Sequence, residues 1–264
     1  MRIAQILPGV GDTSTCVNCL RDAALLREFR KLGHEVLIVP LYLPFRPEGQ
    51  EPAGQTPLFF GGINVFLQQK SVFFRKTPRW LDRIFDNQKL LVWASRRFQM
   101  TNAPVLGQTT VSMLKGRDGY QVKEFDRLIS WLGKKENRPD VICLSNVLLA
   151  GLAKPLKKTI GVPVVCLLQD EDKFLDELAP PYNRQGWSIL VECVHKIDAF
   201  IAIGEHYADV IKKRLEIGQD KIHVVCGGDT VVQKGATCNI DNLAEKIASV
   251  FTMILGNFTE GDYA

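Results

Sequence analysis

Apolar residues follow two patterns along this chain, and each pattern indicates a different secondary structure. Short runs that are apolar almost throughout are typical of strands buried on both faces, which occur in parallel sheets covered by helices. Six runs of this kind are present, at Arg2–Leu7, Val36–Val39, Val141–Leu144, Val162–Leu168, Ala199–Ile203 and Ile222–Val225. The sequence therefore predicts an α/β fold in which a sheet of six parallel strands is flanked by helices.

Longer segments with apolar residues three and four positions apart predict the covering helices. The first runs from about Ser14 to Leu32, and its predicted buried face consists of Val17, Leu20, Ala24, Leu25 and Phe29. Further helices are predicted from Thr77, from Leu90, and at Glu124–Lys135, Val147–Leu156, Trp187–His195, Tyr207–Leu215 and Asp241–Leu255. Residues 44–58 are predicted to form a surface loop, and Ile63–Leu67 an edge strand.

These elements divide the chain into one α/β domain and a short tail. The domain spans residues 1–228 with a helical insertion at about 70–136, and residues 229–264 contain a linker and an amphipathic helix. A chain of 264 residues with 46% hydrophobic and 23% charged residues has the composition of a soluble globular protein. Its net charge of +4 is too small to indicate nucleic-acid binding.

Two further observations concern the compartment. No apolar run approaches the roughly 18 residues of a membrane helix, and the first strand begins almost at Met1, so we expect a cytoplasmic protein. Seven cysteines are present, and those in strand-like runs (Cys143, Cys166 and Cys226) are predicted to be reduced, buried thiols. Cys16 and Cys19 have the C-x-x-C spacing of redox proteins but lack the surrounding thioredoxin pattern, so coincidence is the favoured interpretation.

Polar residues follow the predicted strands, where parallel sheets bind ligands. We identify Gln169, Asp170 and Glu171 as candidate catalytic residues. The candidate substrate-binding residues follow the other strands and are Gly9, Gly11, Asp12, Ser145, Asn146, Gly204, Glu205 and His206. Each group has a structural alternative. Gly9 and Gly11 form an incomplete phosphate-binding pattern that is equally typical of a tight turn. Three of the polar residues are potential helix caps, namely Asp170, Asp172 and Asn146. A lone histidine at the start of a helix, such as His206, is more often structural than catalytic.

The order of several motifs resembles one known family. These motifs are Gly33-His34-Glu35-Val36, Thr110–Gly116, Leu144-Ser145-Asn146, Gln169–Leu178, Asp198–Ile203 with Tyr207–Val210, and Lys221–Val225. Over residues 1–228 the chain resembles the N-terminal, acceptor-side domain of GT-B-fold glycosyltransferases in the retaining family-four group. The resemblance implies a Rossmann-like domain.

The resemblance also implies an activity. Members transfer a hexosyl group from a nucleotide sugar to a hydroxyl of a carbohydrate or lipid-linked acceptor, with retention and without a metal or other cofactor. Related enzymes often have a histidine where this chain has Gln169. Glutamine cannot transfer protons, but it can hydrogen-bond a sugar hydroxyl beside Asp170 or Glu171. Most of the donor-side domain has no counterpart before residue 264, so we expect an incomplete or split enzyme whose isolated chain has doubtful activity.

A non-catalytic role is the alternative. The chain would then be an acceptor-binding or membrane-binding subunit that needs a separate donor-binding partner. Residues 70–98 interleave basic and aromatic residues, which suits peripheral contact with an anionic inner membrane face. A solvated basic face over an ordinary core contact explains the same pattern at least as well.

Overall fold

The computed structural model describes residues 1–8, 17–42, 57, 59–60, 103–226 and 240–258. Its strands are β1 (Arg2–Leu7), β2 (Glu35–Pro40), β3 (Val141–Leu144), β4 (Val164–Leu167), β5 (Ala199–Ala202) and β6 (Ile222–Val224). They form one parallel sheet in the order β2-β1-β3-β4-β5-β6. The predicted Rossmann-like α/β fold is therefore confirmed. Several predictions lie outside the described residues, namely those for Gly9, Gly11, Asp12, most of 44–58, 63–67, 70–98 and 229–239.

The described helices cover both faces of this sheet. They are α1 (Val17–Lys31), α2 (Ala103–Leu114), α3 (Val122–Leu132), α4 (Ala153–Ile160), α5 (Glu171–Glu177), α6 (Tyr182–Val194), α7 (Glu205–Leu215) and α8 (Ile240–Asn257). The helix predicted at Val147–Leu156 is present, but its first part, Val147–Leu152, is a 3₁₀-helix that leads into α4. The side chain of Asn146 caps that tighter turn, accepting a hydrogen bond from the N–H of Leu148 at 3.1 Å.

Two apolar layers enclose the sheet, one on each face. Alternate residues of the central strand β3 belong to different layers: Ile142 and Leu144 to one, Val141 and Cys143 to the other. Helix α8 completes the second layer by burying Leu243, Ala244, Ile247, Ala248 and Phe251. The Phe251 and Phe29 rings lie 5.9 Å apart between their centroids, so α8 packs directly on α1.

The buried face of α1 differs from the predicted one. Leu20 is 53% exposed, whereas Asp22 is only 5% exposed and lies on the inner side with Leu25 and Phe29. The spacing of three and seven residues from Asp22 to Leu25 and Phe29 places all three on one helix face. A carboxyl group thus occupies a position at which helical periodicity alone favours an apolar residue.

The cysteine prediction holds only in part. Cys143 and Cys166 are free and buried, and burial raises the pKa of the Cys143 and Cys166 thiols. Cys226, in contrast, is disulfide-bonded, so its predicted free thiol is wrong. Cys226 lies two residues beyond the end of β6 and is buried in the same apolar layer as α8.

Gly151 allows the 3₁₀-helix Val147–Leu152 and helix α2 to approach each other closely. A Cβ at this position would lie 2.2 Å from the carbonyl oxygen of Met113 and 2.6 Å from that of Leu114. Both are main-chain atoms of α2 and cannot move aside cheaply. We expect Gly151→Ala to lower the free energy of unfolding by about 1–3 kcal/mol, measured by urea denaturation.

Gly256→Ala is the matched control, because no described residue outside this turn of α8 has an atom within 4 Å of a Cβ at that position. Alanine favours helix over glycine, so this variant is expected to gain up to about 1 kcal/mol. Equal stability of the two variants would contradict the close approach at Gly151.

Candidate functional site

The carboxyl ends of β1, β3, β4 and β5 lie at one edge of the sheet. The chain places β2 on one side of β1 and β3 on the other, so the strand order reverses between β1 and β3. Open α/β sheets bind ligands at this kind of reversal. The loops after β3, β4 and β5 carry the predicted residues 145–146, 169–171 and 204–206. The structure therefore brings three of the predicted groups to one edge.

Glu171 connects these three loops. Its Oε1 accepts a hydrogen bond from the N–H of Val147, after β3, at 2.9 Å. Its Oε2 accepts one from the N–H of Gln169 at 2.7 Å and one from the hydroxyl of Tyr207, after β5, at 2.8 Å. The Glu171 N–H donates in turn to the Tyr207 oxygen at 2.7 Å. One carboxylate thus holds the ends of β3, β4 and β5 together.

The environment of Glu171 suits positioning rather than contact with a substrate. The residue is 4% exposed, and both of its oxygens accept protein hydrogen bonds. Burial raises the pKa of Glu171, and the hydrogen bonds from Val147, Gln169 and Tyr207 oppose that rise. Burial also raises the pKa of Tyr207, and the charge of Glu171 adds to the effect, so Tyr207 stays a donor.

Gln169 is the central polar residue of this edge. It is 7% exposed, and its side-chain Nε2 donates to Oδ1 of Asp22 at 2.9 Å. Its main-chain carbonyl accepts from the side chain of Asn18, in the first turn of α1, at 3.4 Å. These contacts attach the end of β4 to α1, and they leave the carbonyl oxygen Oε1 without a hydrogen-bond partner among the described residues.

Asp22 is a titratable group inside this polar cluster. Burial raises its pKa to about 7, and the charge of Glu171 acts in the same direction. Arg21 and the hydrogen bond from Gln169 act in the opposite direction. The carboxyl group of Asp22 therefore changes its charge near neutral pH.

The two predicted residues after β3 differ in their surroundings. Ser145 is fully buried, its N–H donates to the carbonyl of Ile6 at 2.9 Å, and its hydroxyl has no hydrogen-bond partner in the part of the chain that the structure describes. Asn146 uses its side chain to cap the following 3₁₀-helix, which is the structural alternative considered for it. Of the pair, Ser145 therefore retains an unoccupied polar group.

The remaining predicted residues are more open. Asp170 is exposed, with a left-handed φ of 59°, and its side chain makes no capping hydrogen bond to α5. Glu205 and His206 are exposed in the first turn of α7, with half-buried Gly204 before them. Glu205 lines a cavity of about 280 Å³ between α7 and β6, whose other lining residues come from neither β3 nor β4.

Sequence reasoning missed Asp22, Asn18 and Tyr207. The signal for Asp22 was available, since a carboxyl group three residues before Leu25 falls on the buried face of a helix. Its partner Gln169 is 147 residues away, which no local pattern connects.

The described part of the chain contains no cluster of histidine, cysteine, aspartate or glutamate suited to holding a metal ion. Within the same residues, no helix is both long and apolar enough to cross a bilayer.

Comparison with known proteins gives two findings. Residues 109–228 match the family model described as Glycosyltransferase Family 4, which confirms the family resemblance recognised in the sequence. Among solved structures, the chain is similar to a lipopolysaccharide outer core galactosyltransferase, WaaB, in its apo form, with 15% identity and a TM-score of 0.43. The similarity covers 89% of this chain and 47% of that one, so the chain spans less than half the length of that protein. No curated protein matches the sequence.

Proposed function

We propose that this chain, whose residues 109–228 match Glycosyltransferase Family 4, forms the acceptor-side part of an enzyme that transfers a hexosyl group from a nucleotide sugar to a hydroxyl. The family match is the observation that carries the proposal. It covers the segment that supplies β3, β4, β5 and the polar loops after them. The acceptor is a carbohydrate or a lipid-linked sugar, and the anomeric configuration is retained.

The polar edge can supply recognition of a hydroxyl. Gln169 offers Oε1 as a hydrogen-bond acceptor, and exposed Asp170 lies next to it in the chain. Glu171 holds the loops that carry both residues. None of these residues needs to be a strong base, because in a retaining transfer the phosphate of the departing nucleotide can take the proton of the acceptor.

A transfer assay tests the proposal. The purified chain is incubated, alone and together with a donor-side domain supplied as a separate chain, with UDP-, GDP- and ADP-hexoses labelled in the sugar and with alkyl glycosides of several sugars as acceptors. We expect a labelled glycoside whose anomeric proton coupling shows the configuration of the donor. Hydrolysis of the donor without a glycoside product in any combination would contradict acceptor transfer.

Gln169→Ala is expected to lower kcat/KM for the acceptor about tenfold, because one hydrogen bond to a substrate hydroxyl is worth about 1.4 kcal/mol. The matched control is Gln185→Ala, at an exposed position of α6. Both variants are compared in the same assay after their folding has been checked by circular dichroism. An equal effect of the two substitutions would remove Gln169 from the site.

Calorimetry separates this function from a binding role. Titration of the chain with UDP, GDP and ADP measures donor recognition, and titration with the alkyl glycosides measures acceptor recognition. Binding of a glycoside without any nucleotide would favour an acceptor-binding subunit that works with a donor-binding partner. Binding of both would favour transfer by this chain.

A further inference from the structure

Asp22 and Gln169 form a buried side-chain pair at the sheet edge that the proposed function uses. Three polar groups of Gln169 are bonded to protein: its N–H to Glu171, its main-chain carbonyl to Asn18 and its Nε2 to Asp22. Gln169 is 7% exposed and Asp22 is 5% exposed, so water competes little for the hydrogen bond between them. The carboxamide is therefore held by the protein, and within the described parts of the chain its Oε1 is left for another partner.

The charge of Asp22 determines which way the carboxamide points. An ionised carboxylate only accepts hydrogen bonds, so the nitrogen of Gln169 faces Asp22 and Oε1 faces away from it. The reversed orientation would place two acceptors together with no hydrogen between them. Such an unsatisfied contact is costly in a buried site.

We propose that Asp22 is a positioning residue. By accepting the hydrogen bond from Nε2 of Gln169, it fixes the carboxamide so that Oε1 is presented to a hydroxyl of the acceptor. Asp22 loses this control over the carboxamide when it is protonated. The identity of the bound hydroxyl rests on the proposed function. The orientation of the carboxamide does not, because it follows from the contacts within the protein.

Protonation would change what Gln169 offers. A neutral carboxyl group of Asp22 can donate its own hydrogen to Oε1 and so occupy the oxygen that the ionised form leaves available. The groups that act on Asp22 are Arg21 on the same helix, Glu171 at the start of α5 and Gln169 itself, and the charge of Asp22 acts in turn on the Cys143 thiol of β3. Burial outweighs Arg21 and raises the pKa of Asp22 to about 7, so the change falls near neutral pH.

The sign of the linked stability effect follows from this shift. The folded chain binds a proton at Asp22 more tightly than the unfolded chain, in which an aspartate has a pKa of about 3.9. Asp22 therefore disfavours folding increasingly as pH rises from about 4 to about 7, and its effect is constant above that range.

Nuclear magnetic resonance tests the pair directly. The whole chain is labelled with ¹⁵N-glutamine, and the Gln169 side-chain signals are identified by their loss in Gln169→Asn. We expect these signals to titrate with a midpoint near pH 7 in the wild type and in Asp209→Asn, a control at an exposed position of α7. In Asp22→Asn the Gln169 side-chain signals should no longer change with pH around 7. A flat wild-type curve, or an unchanged midpoint in Asp22→Asn, would overturn the inference.

The transfer assay supplies the second measurement. At pH 8, Asp22→Asn should raise KM for the glycoside acceptor about tenfold, leave KM for the nucleotide sugar unchanged and flatten the pH profile. An unchanged acceptor KM would overturn the role of Asp22 toward the acceptor. If no variant transfers sugar while the Gln169 titration is present, the proposed function and its hydroxyl ligand fail, and the control of the carboxamide by Asp22 stands.

Discussion

Replacement of Glu171 by alanine is expected to lower the free energy of unfolding by about 4 kcal/mol. The substitution removes the acceptor of two buried main-chain N–H groups, those of Val147 and Gln169, and each unsatisfied group costs about 1–3 kcal/mol. It also removes the partner of the Tyr207 hydroxyl. Urea denaturation followed by tryptophan fluorescence measures the loss.

Two further variants make this result specific. Glu177→Ala, at the exposed end of the same helix α5, is expected to change stability by less than about 0.5 kcal/mol. Tyr207→Phe removes two hydrogen bonds, one donated to the Glu171 carboxylate and one accepted from the Glu171 N–H, and should cost about 2 kcal/mol. Its effect is not additive to that of Glu171→Ala, because the two residues are bonded to each other. A loss below 1 kcal/mol in Glu171→Ala would show that the three loops hold their positions without the carboxylate.

The second large effect concerns the attachment of helix α8. Phe251 is fully buried against Phe29 of α1, and Phe251→Ala is expected to lower the free energy of unfolding by about 3–5 kcal/mol. Removal of the ring leaves a cavity between α8 and α1 and weakens the layer that covers one face of the sheet. Chemical denaturation again provides the measurement, with amide hydrogen exchange reporting on α1 and α8.

Met253→Ala is the control on the same helix, since Met253 is 42% exposed. It should change stability by less than about 0.5 kcal/mol and leave exchange in α1 unaltered. If Phe251→Ala and Met253→Ala behave alike, α8 does not contribute its buried face to the stability of the domain.

The strands could be predicted because each is a short run that is mostly apolar, both in the centre of the sheet and at its edges β2 and β6. β1 and β3 have the predicted bounds, whereas β4 begins at Val164 rather than Val162. Pro163 explains part of this difference, since proline has no N–H for the ladder, although its carbonyl accepts from the N–H of Ile142 at 3.0 Å.

Helix α2 lies within the predicted helical insertion at about 70–136, but it was not predicted as an individual helix, and its sequence shows why. It contains Pro104, Gly107 and two threonines, which have low helix propensity. Tertiary packing supports it instead: a Cβ at Gly107 would lie 2.5 Å from the side chain of Tyr182, so the glycine allows α2 and α6 to approach closely. Local patterns do not contain that contact.

The candidate site could be located from the sequence but not assembled. The rule that ligands bind at strand ends identified Gln169 and Glu171, because both follow an apolar run. It could not show that the Glu171 carboxylate is occupied by Val147 and Tyr207, or that Asp22 holds Gln169. Those partners come from distant segments and meet only when the sheet is complete.

The shared carboxylate of Glu171 has a consequence for engineering. The connections after β3, β4 and β5 are hydrogen-bonded to one residue, so they hold one another in place despite their separation in sequence. Grafting one connection from a relative would introduce a mismatch in the other two. A chimera that transfers residues 145–148, 169–172 and 204–207 together would keep their mutual bonds, and under the proposed function it is the exchange with which to change acceptor preference.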